Sequence, residues 1–383
     1  MRRLMGAGFV DYLGAGFFLA FSAVYFTEVV GLSISSVGLG LGLAGCLALV
    51  TAAPLGKLAD RVGVRRTLVV LHLARAAGTA SYAVIGEWWG FLAAVTVVTV
   101  TDQAIAALTQ AFVAELATGE RRGKVLAAYR TIANLGITVG GPLGGLLMGV
   151  GAVRVPLLVN AGAYVLVALV LATIPERRRA TPPAPGLAAL RDGRLLRLAA
   201  VDTVLQLWLP VLNLGFPLWL AASGQLPKAW IGPLYAINTV LGVILQVPVT
   251  RLARTVAAAR LCQVAAAGLL AAACLLFWFA PGWAPLFVAG IVLLTLGELV
   301  TVSAAWTLSY AIAPGERRAE YLAAFGMGRS FGRYVLGPVL VTGLLQSAGG
   351  VTWGVLAALF AVAGAVTPLV SRPLLAAGSG TSG

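Results

Sequence analysis

Long apolar runs, broken only by short charged loops, constrain this chain more than any other feature. About 20 apolar residues cross the hydrocarbon of a bilayer. Runs of that length fall near 5–29, 36–56, 67–86, 89–115, 125–149, 153–174, 197–222, 229–250, 259–280, 285–312, 321–346 and 351–371. Apolar residues make up 60% of the chain and charged ones 10%, whereas a soluble domain carries about 25% charged residues. No water-facing surface could be assembled from such a chain. The expected fold is an all-α membrane protein with twelve transmembrane helices.

The net charge of +14 sits in the breaks between runs, not on one polar face. This distribution argues against a nucleic-acid partner and for a lipid bilayer. With both termini cytoplasmic, 21 Lys and Arg residues fall in the cytoplasmic segments, and only Arg154 and Lys228 on the far side. The positive-inside rule then sets the orientation. Trp88, Trp89, Trp230, Trp283 and Trp353 fall at the outer boundary, as an aromatic belt does. Met1-Arg2-Arg3 leads into a retained first helix rather than a cleaved signal. Cys46, Cys262 and Cys274 lie in apolar runs, and His72 is the one histidine. No disulfide, metal site or cofactor is expected.

The longest hydrophilic stretch, 176–196, is rich in proline and arginine and reads as a stiff, solvated cytoplasmic linker. It separates an N-terminal six-helix bundle (1–175) from a C-terminal one (197–372). Residues 373–383 read as a disordered, linker-like tail. The halves repeat one another. Gly119-Glu120-Arg121-Arg122 recurs 196 residues later as Gly315-Glu316-Arg317-Arg318. The same offset aligns Leu126-Ala127-Ala128 with Leu322-Ala323-Ala324, Gly136 with Gly332, and Gly141-Pro142 with Gly337-Pro338. An ungapped run that includes Glu, two Arg, Gly and Pro marks a duplicated six-helix unit, an architecture of secondary transporters.

A charged island lies between the second and third runs: Gly56-Lys57-Leu58-Ala59-Asp60-Arg61-Val62-Gly63-Val64-Arg65-Arg66. By itself it could be any basic loop between membrane helices. Its spacing, Gly-x-Leu-Ala-Asp-Arg-x-Gly-x-Arg-Arg, resembles the signature loop between helices 2 and 3 of the major facilitator superfamily. The resemblance covers almost the whole chain and implies two pseudo-symmetric bundles with a binding site near the midplane. It also implies a gate, in which Asp60 caps helix 11 and Arg61, Arg65 and Arg66 latch nearby, with Gly56 and Gly63 shaping the loop. A carboxylate suits the positive end of a helix.

Intramembrane charges are costly and by default functional. Asp102 of helix 4 and Glu298 of helix 10 stand 196 residues apart and so occupy matching places. Asp11 and Asp202 lie in the inner parts of helices 1 and 7. Two readings are open for each. Asp102 and Glu298 are either proton carriers or structural ion-paired or protonated acids. Asp11 and Asp202 are either cavity residues or interfacial ones. In proteins that this chain resembles, helices 1, 4, 7 and 10 line the cavity. Arg329 and Arg333, four apart on helix 11, are candidate partners of Glu298. Asp102 could meet Arg75 or His72 of helix 3. The proton-coupling candidates are therefore Asp102, Glu298, Asp11, Asp202, Arg333 and Arg329.

Helix 5 carries Gly136, Gly140, Gly141, Pro142, Gly144 and Gly145. Small residues allow close helix packing, and Pro142 bends the helix. The string also resembles the Gly-x-x-x-Gly-Pro-x-x-Gly-Gly motif of proton-coupled exporters. Many such exporters have an arginine in helix 4 about twenty residues before an Ala-Glu-Leu. Here Ala114-Glu115-Leu116 is present but the arginine position is Val95. Candidate cavity contacts are Gln103, Gln110, Gln206, Trp208, Asn213, Tyr235, Asn238, Gln246 and Trp306. Acids with aromatics and amides suit a lipophilic, cationic small molecule.

No Gly-x-x-x-x-Gly-Lys-Ser/Thr occurs, which argues against an ATP-driven pump. Gly40-Leu41-Gly42-Leu43-Ala44-Gly45 lies in an apolar run with no strand before it and is packing glycine. The expectation is a monomeric, proton-coupled multidrug or metabolite antiporter of the bacterial cytoplasmic (inner) membrane, not an enzyme. It would export its substrate by alternating access. The rivals are a proton-coupled uptake carrier and a lipid flippase of the same fold.

Overall fold

The computed structural model describes residues 2–19, 21–116, 121–149, 152, 154–174, 188–314 and 317–378. Gly119-Glu120 and Gly315-Glu316 of the internal repeat, residues 175–187 of the linker region and 379–383 of the tail lie outside the described residues. All regular structure among the described residues is helical. In the first half, α1 is Arg2–Leu19, prolonged by Ser22–Val24 and a π-helical turn Tyr25–Val29. It is followed by α2 (Ile34–Val62), α3 (Val64–Ser81), α4 (Trp88–Leu116), α5 (Arg121–Gly149) and α6 (Val155–Ala172). In the second half, α7 runs over Gly193–Ser223 and includes a π-helical turn Val211–Gly215. Next come α8 (Ile231–Leu252), α9 (Val256–Phe279) and α10 (Pro285–Ile312). Then α11 starts as Arg318–Phe331, passes through a π-helical turn Gly332–Leu336 and ends as Gly337–Ala348; α12 is Val351–Gly378. Residues 373–378, part of the tail in the sequence reading, thus continue α12 as helix.

Among the described residues, eight helices are long and apolar enough to cross a membrane, or nine if the pair Arg3–Phe18 and Ser22–Val29, bent by 46°, is one span. The chain is a multi-pass membrane protein. Two of the helices outside that group have visible reasons. Arg65, Arg66 and Arg75 all lie within the 18 residues of α3, and the π-helical turn divides α11 into pieces of 14 and 12 residues.

The chain divides into two compact units, Met1–Pro182 with Leu226–Val240, and Pro183–Gln225 with Leu241–Gly383. In the first, α1 packs on α5 and α6, and α3 on α4 and α6. One end of its core is aromatic: Phe18, Tyr25, Phe26, Tyr82 and Phe91 are all buried, and the Tyr25 hydroxyl donates to the Tyr82 carbonyl at 3.0 Å. The other end is built from Leu68, Leu108, Phe112 and Leu171.

The charged island is mostly helix, contrary to a loop reading. Helix α2 continues past the apolar run to Val62, so Gly56, Asp60 and Arg61 are helical. The turn is made by Gly63 alone, with φ 108° and ψ 136°, a conformation that a Cβ disfavours. Arg65 then reaches back to the end of α6. Its Nη1 donates to the carbonyls of Ala172 at 2.7 Å and Ile174 at 3.3 Å, where helix-terminal carbonyls favour a cation. Asp60 is exposed.

The glycines of α5 serve two faces. A Cβ on Gly136, Gly140 or Gly144 would collide with the α1 backbone at Phe9 and Leu13, Leu13, and Phe17 respectively. Their spacing of four puts them on one stripe, and that stripe is why α1 and α5 can touch backbone to backbone. Gly141 and Gly145 face Gly232 at the start of α8 instead, inside the same unit.

In the second unit α9 packs on α10 and α12, and α7 on α11 and α12. Phe216, Phe277, Phe287 and Trp353 are fully enclosed, and Trp219 Nε1 donates to the Phe277 carbonyl at 2.7 Å. Asp192 caps α7 by accepting from the Arg194 amide at 2.8 Å and also accepts from the Tyr321 hydroxyl at 2.9 Å. Glu320 accepts from the Ala189 amide at 2.6 Å. The start of α7 is thereby docked on the start of α11.

Candidate functional site

Each unit holds a buried polar cluster, and the two are built differently. In the first, the organising residue is Arg75 of α3, 8% exposed. Its Nη1 donates to Asp11 Oδ1 of α1 at 3.1 Å, and its Nη2 meets Asp102 Oδ1 of α4 at 2.6 Å. The guanidinium plane lies 4.0 Å above the Tyr164 ring of α6, a cation–π contact that strengthens where water is excluded. One planar cation thus ties three helices together and rests on a fourth. The two carboxylates are not equivalent: the Asp11 side chain is 10% exposed and that of Asp102 48%. Asp102 therefore offers a face to whatever enters beside it, while Asp11 is enclosed.

His72, one turn before Arg75, is 2% exposed. Its Nδ1 lies 2.8 Å from the Leu68 carbonyl, and its Nε2 lies 4.0 Å from Asp11 Oδ1. A small pocket reaches this pair, lined by Leu4, Gly8, Asp11, His72, Thr109 and Tyr129 among others. The sequence reading names Arg75 and His72 only as possible partners of Asp102. Their spacing of three on a helix with apolar neighbours was the available signal. Val95, the position at which many exporters that the sequence resembles carry an arginine, is buried in the aromatic end of the core, and the buried cation of this cluster is Arg75 of α3.

In the second unit the centre is Asp202 of α7, with no exposed surface. Its Oδ2 accepts from Arg329 Nε of α11 at 3.3 Å, and both its oxygens accept from Gln206 Nε2, at 3.1 and 3.2 Å. Gln206 Oε1 in turn accepts from Arg333 Nε at 2.7 Å. The result is a continuous chain, Arg329–Asp202–Gln206–Arg333, with each arginine over aromatic rings. Arg329 lies 5.8 Å from the Trp306 ring and 5.7 Å from Phe325; Arg333 lies 5.2 Å from Trp208. The sequence reading joins these arginines to Glu298. Arg329 pairs with Asp202, and half-buried Glu298 of α10 acts on Arg333 electrostatically. A glutamine four residues after an aspartate on one helix was the sequence signal for this chain.

Of the other candidate contacts, Gln206 and Trp208 belong to this cluster, and Trp306 is 45% exposed beside Arg329. Gln103 is half-buried and Gln110 exposed on α4, and Asn213 is half-buried in the π-helical turn of α7. Buried Tyr235 and Asn238 belong to the first unit, whereas Gln246 lies in the second. Gly56, Asp60, Arg61, Arg65 and Arg66 lie at the α2–α3 junction, apart from the buried cluster. Among the described residues, no group of His, Cys, Asp and Glu could hold a metal ion.

The profile of the Major Facilitator Superfamily matches residues 4–335. The chain belongs to this superfamily. A relative, the multidrug resistance protein MdtH of Cronobacter sakazakii (strain ATCC BAA-894), is 27% identical over 330 residues, covering 83% of this chain and 80% of that one. Among solved structures, a mutant of the nucleoside transporter NupG superposes with a TM-score of 0.80 at 14% identity, covering 97% of this chain and 98% of that one. A bacterial homolog of the human lysosomal transporter Spinster gives 0.76 at 14% identity, covering 97% and 96%. A POT family transporter in complex with 5-aminolevulinic acid gives 0.76 at 11% identity, covering 98% and 95%. At these identities the structures establish the fold. The superfamily chain described here is a transporter, and its relatives are transporters rather than enzymes.

Proposed function

We propose that this superfamily member is a monomeric proton-coupled antiporter of the bacterial inner membrane. It exports a small lipophilic or cationic compound by alternating access, through twelve spans with both termini in the cytoplasm. The observation that carries this reading is the Asp102 carboxylate. It is half-exposed, held in place by a buried arginine, and so available to a cation without unfolding its surroundings. The relative named for multidrug resistance and the glycine-rich α5 support the direction of transport. Asp60 and the arginines of the α2–α3 junction serve as the gate. Asp102 and Glu298 are the first residues to test for coupling, with Asp11, Asp202, Arg329 and Arg333 behind them.

The test uses oriented proteoliposomes, an imposed pH gradient and a panel of lipophilic cationic dyes. Asp102→Asn and Glu298→Gln are compared with the unmodified protein. Dye movement against the proton flow, reduced at least about tenfold in either variant (a loss of about 1.4 kcal/mol of driving or binding energy), supports the antiporter. Dye movement along with the proton flow would replace it by an uptake carrier. Full transport by both variants would remove these acids from the coupling scheme.

A further inference from the structure

We propose that the exchanged proton resides between His72 Nε2 and Asp11, and that Asp102 faces the substrate. This assignment rests on the proton-exchange reading and, among that reading's acids, gives the proton to the Asp11 side and leaves Asp102, first in line there, to the substrate.

The argument is a charge count with a hydrogen-bond constraint. The Leu68 carbonyl can only accept, so the proton of the His72–Leu68 bond is on Nδ1. Nε2 is therefore the nitrogen that gains or loses a proton, and it points to Asp11 across 4.0 Å. Asp11, Asp102 and Arg75 together carry one negative charge in excess when His72 is neutral. Excess charge in a water-poor interior is costly. One proton taken up at His72 Nε2, on the side of Asp11, brings the cluster to zero. Asp102 is bonded to Arg75 at 2.6 Å and half of its surface is open, which leaves it to face the substrate.

The groups facing the pair are Asp11 and Tyr12 of α1, Arg75 on its own helix, Asp102 and Thr109 of α4, Tyr129 of α5 and Tyr164 of α6. Among these, His72 is the one group whose unperturbed titration falls near neutrality. The small pocket beside Leu4, Gly8 and Tyr129 borders the same pair, and Asp102 is not among its lining residues. A cation arriving at Asp102 would supply the missing charge from the other side, so proton and cationic substrate become alternatives.

His72 is the chain's only histidine, which gives a test independent of any substrate. The full chain, purified without a histidine tag and labelled with 15N-histidine, is titrated by NMR in nanodiscs. The expected result is one imidazole whose Nε2 shift changes between about pH 5 and 8 while Nδ1 stays protonated. Asp11→Asn removes the anion that favours the imidazolium and should move the midpoint by about one pH unit or more. An imidazole that stays in one state across this range, or a midpoint untouched by Asp11→Asn, would overturn the assignment. The transport arm uses ethidium in proteoliposomes. His72→Gln should lose gradient-driven accumulation at least tenfold while keeping downhill ethidium exchange, and full accumulation with an unchanged pH profile would also overturn it. If the unmodified protein moves no ethidium against a gradient, the antiporter reading fails for this dye, and the NMR titration still decides the proton's location.

Discussion

Arg75 is the residue on which most of the first cluster depends. It holds two carboxylates from different helices and stacks on Tyr164. Removing one partner of a buried ion pair leaves charge without compensation and costs about 3–5 kcal/mol. Arg75→Met is therefore expected to lower thermal stability sharply in detergent, measured by fluorescence-detected gel filtration after heating. The triple variant Asp11→Asn, Arg75→Met, Asp102→Asn should recover much of that loss while remaining inactive. If Arg75→Met alone is as stable as the unmodified protein, the pairing is not a structural hub. The acids of this cluster were legible in the sequence, because an aspartate inside an apolar run has few structural excuses. Arg75 as the bridge was not, because the facing of one helix toward another is set by packing that no local spacing records. The same holds for Asp202: its helix and depth were readable, but its arginine came from α11, whose own acid candidate was Glu298.

At the level of elements, α5 and the α2–α3 junction carry opposite lessons about glycine. Gly140 faces the Leu13 carbonyl so closely that a Cβ cannot fit, whereas a Cβ on Gly141 would find its nearest neighbour, the Gly232 carbonyl, at 3.8 Å. Gly140→Ala should thus destabilise by about 1–3 kcal/mol, as overpacking does, and Gly141→Ala by less than about 0.5 kcal/mol. Thermal melts of the two variants side by side test this; equal effects would show that the stripe is not what brings α1 and α5 together. Gly63 is needed for its backbone instead. Gly63→Ala forces a disfavoured φ and should cost about 1–3 kcal/mol, read by the same melts. The sequence marked both places as glycine-dependent. It did not say that α2 would continue as helix through Asp60 and Arg61, because charged residues end a membrane run without ending a helix. Helical propensity is high for Lys and Arg, and the helix stops only where the backbone does, at Gly63.

On the scale of the whole molecule, the count of cations, 21 on one side against two on the other, predicts that both termini are cytoplasmic. A reporter that fluoresces only in the cytoplasm should be bright when fused to either end, and alkaline phosphatase at the same ends should be inactive. The reverse pattern would invert the orientation. What the sequence determined by itself follows from solvent physics: a chain this apolar must satisfy its backbone inside a bilayer, so it is helical and multi-pass, and it carries an ungapped repeat of charged and glycine residues at an offset of 196. These properties are written in periodic or global quantities that survive without coordinates. Only the tertiary structure decided which charges meet. The duplicated acids Asp102 and Glu298 occupy matching positions, yet Asp102 is held from α3 while the arginines of α11 are engaged with α7. Duplication fixes where a side chain starts along its helix. The partner it reaches depends on helix rotation and on small-residue contacts such as those of Gly136, Gly140 and Gly144, which act across the bundle rather than along the chain.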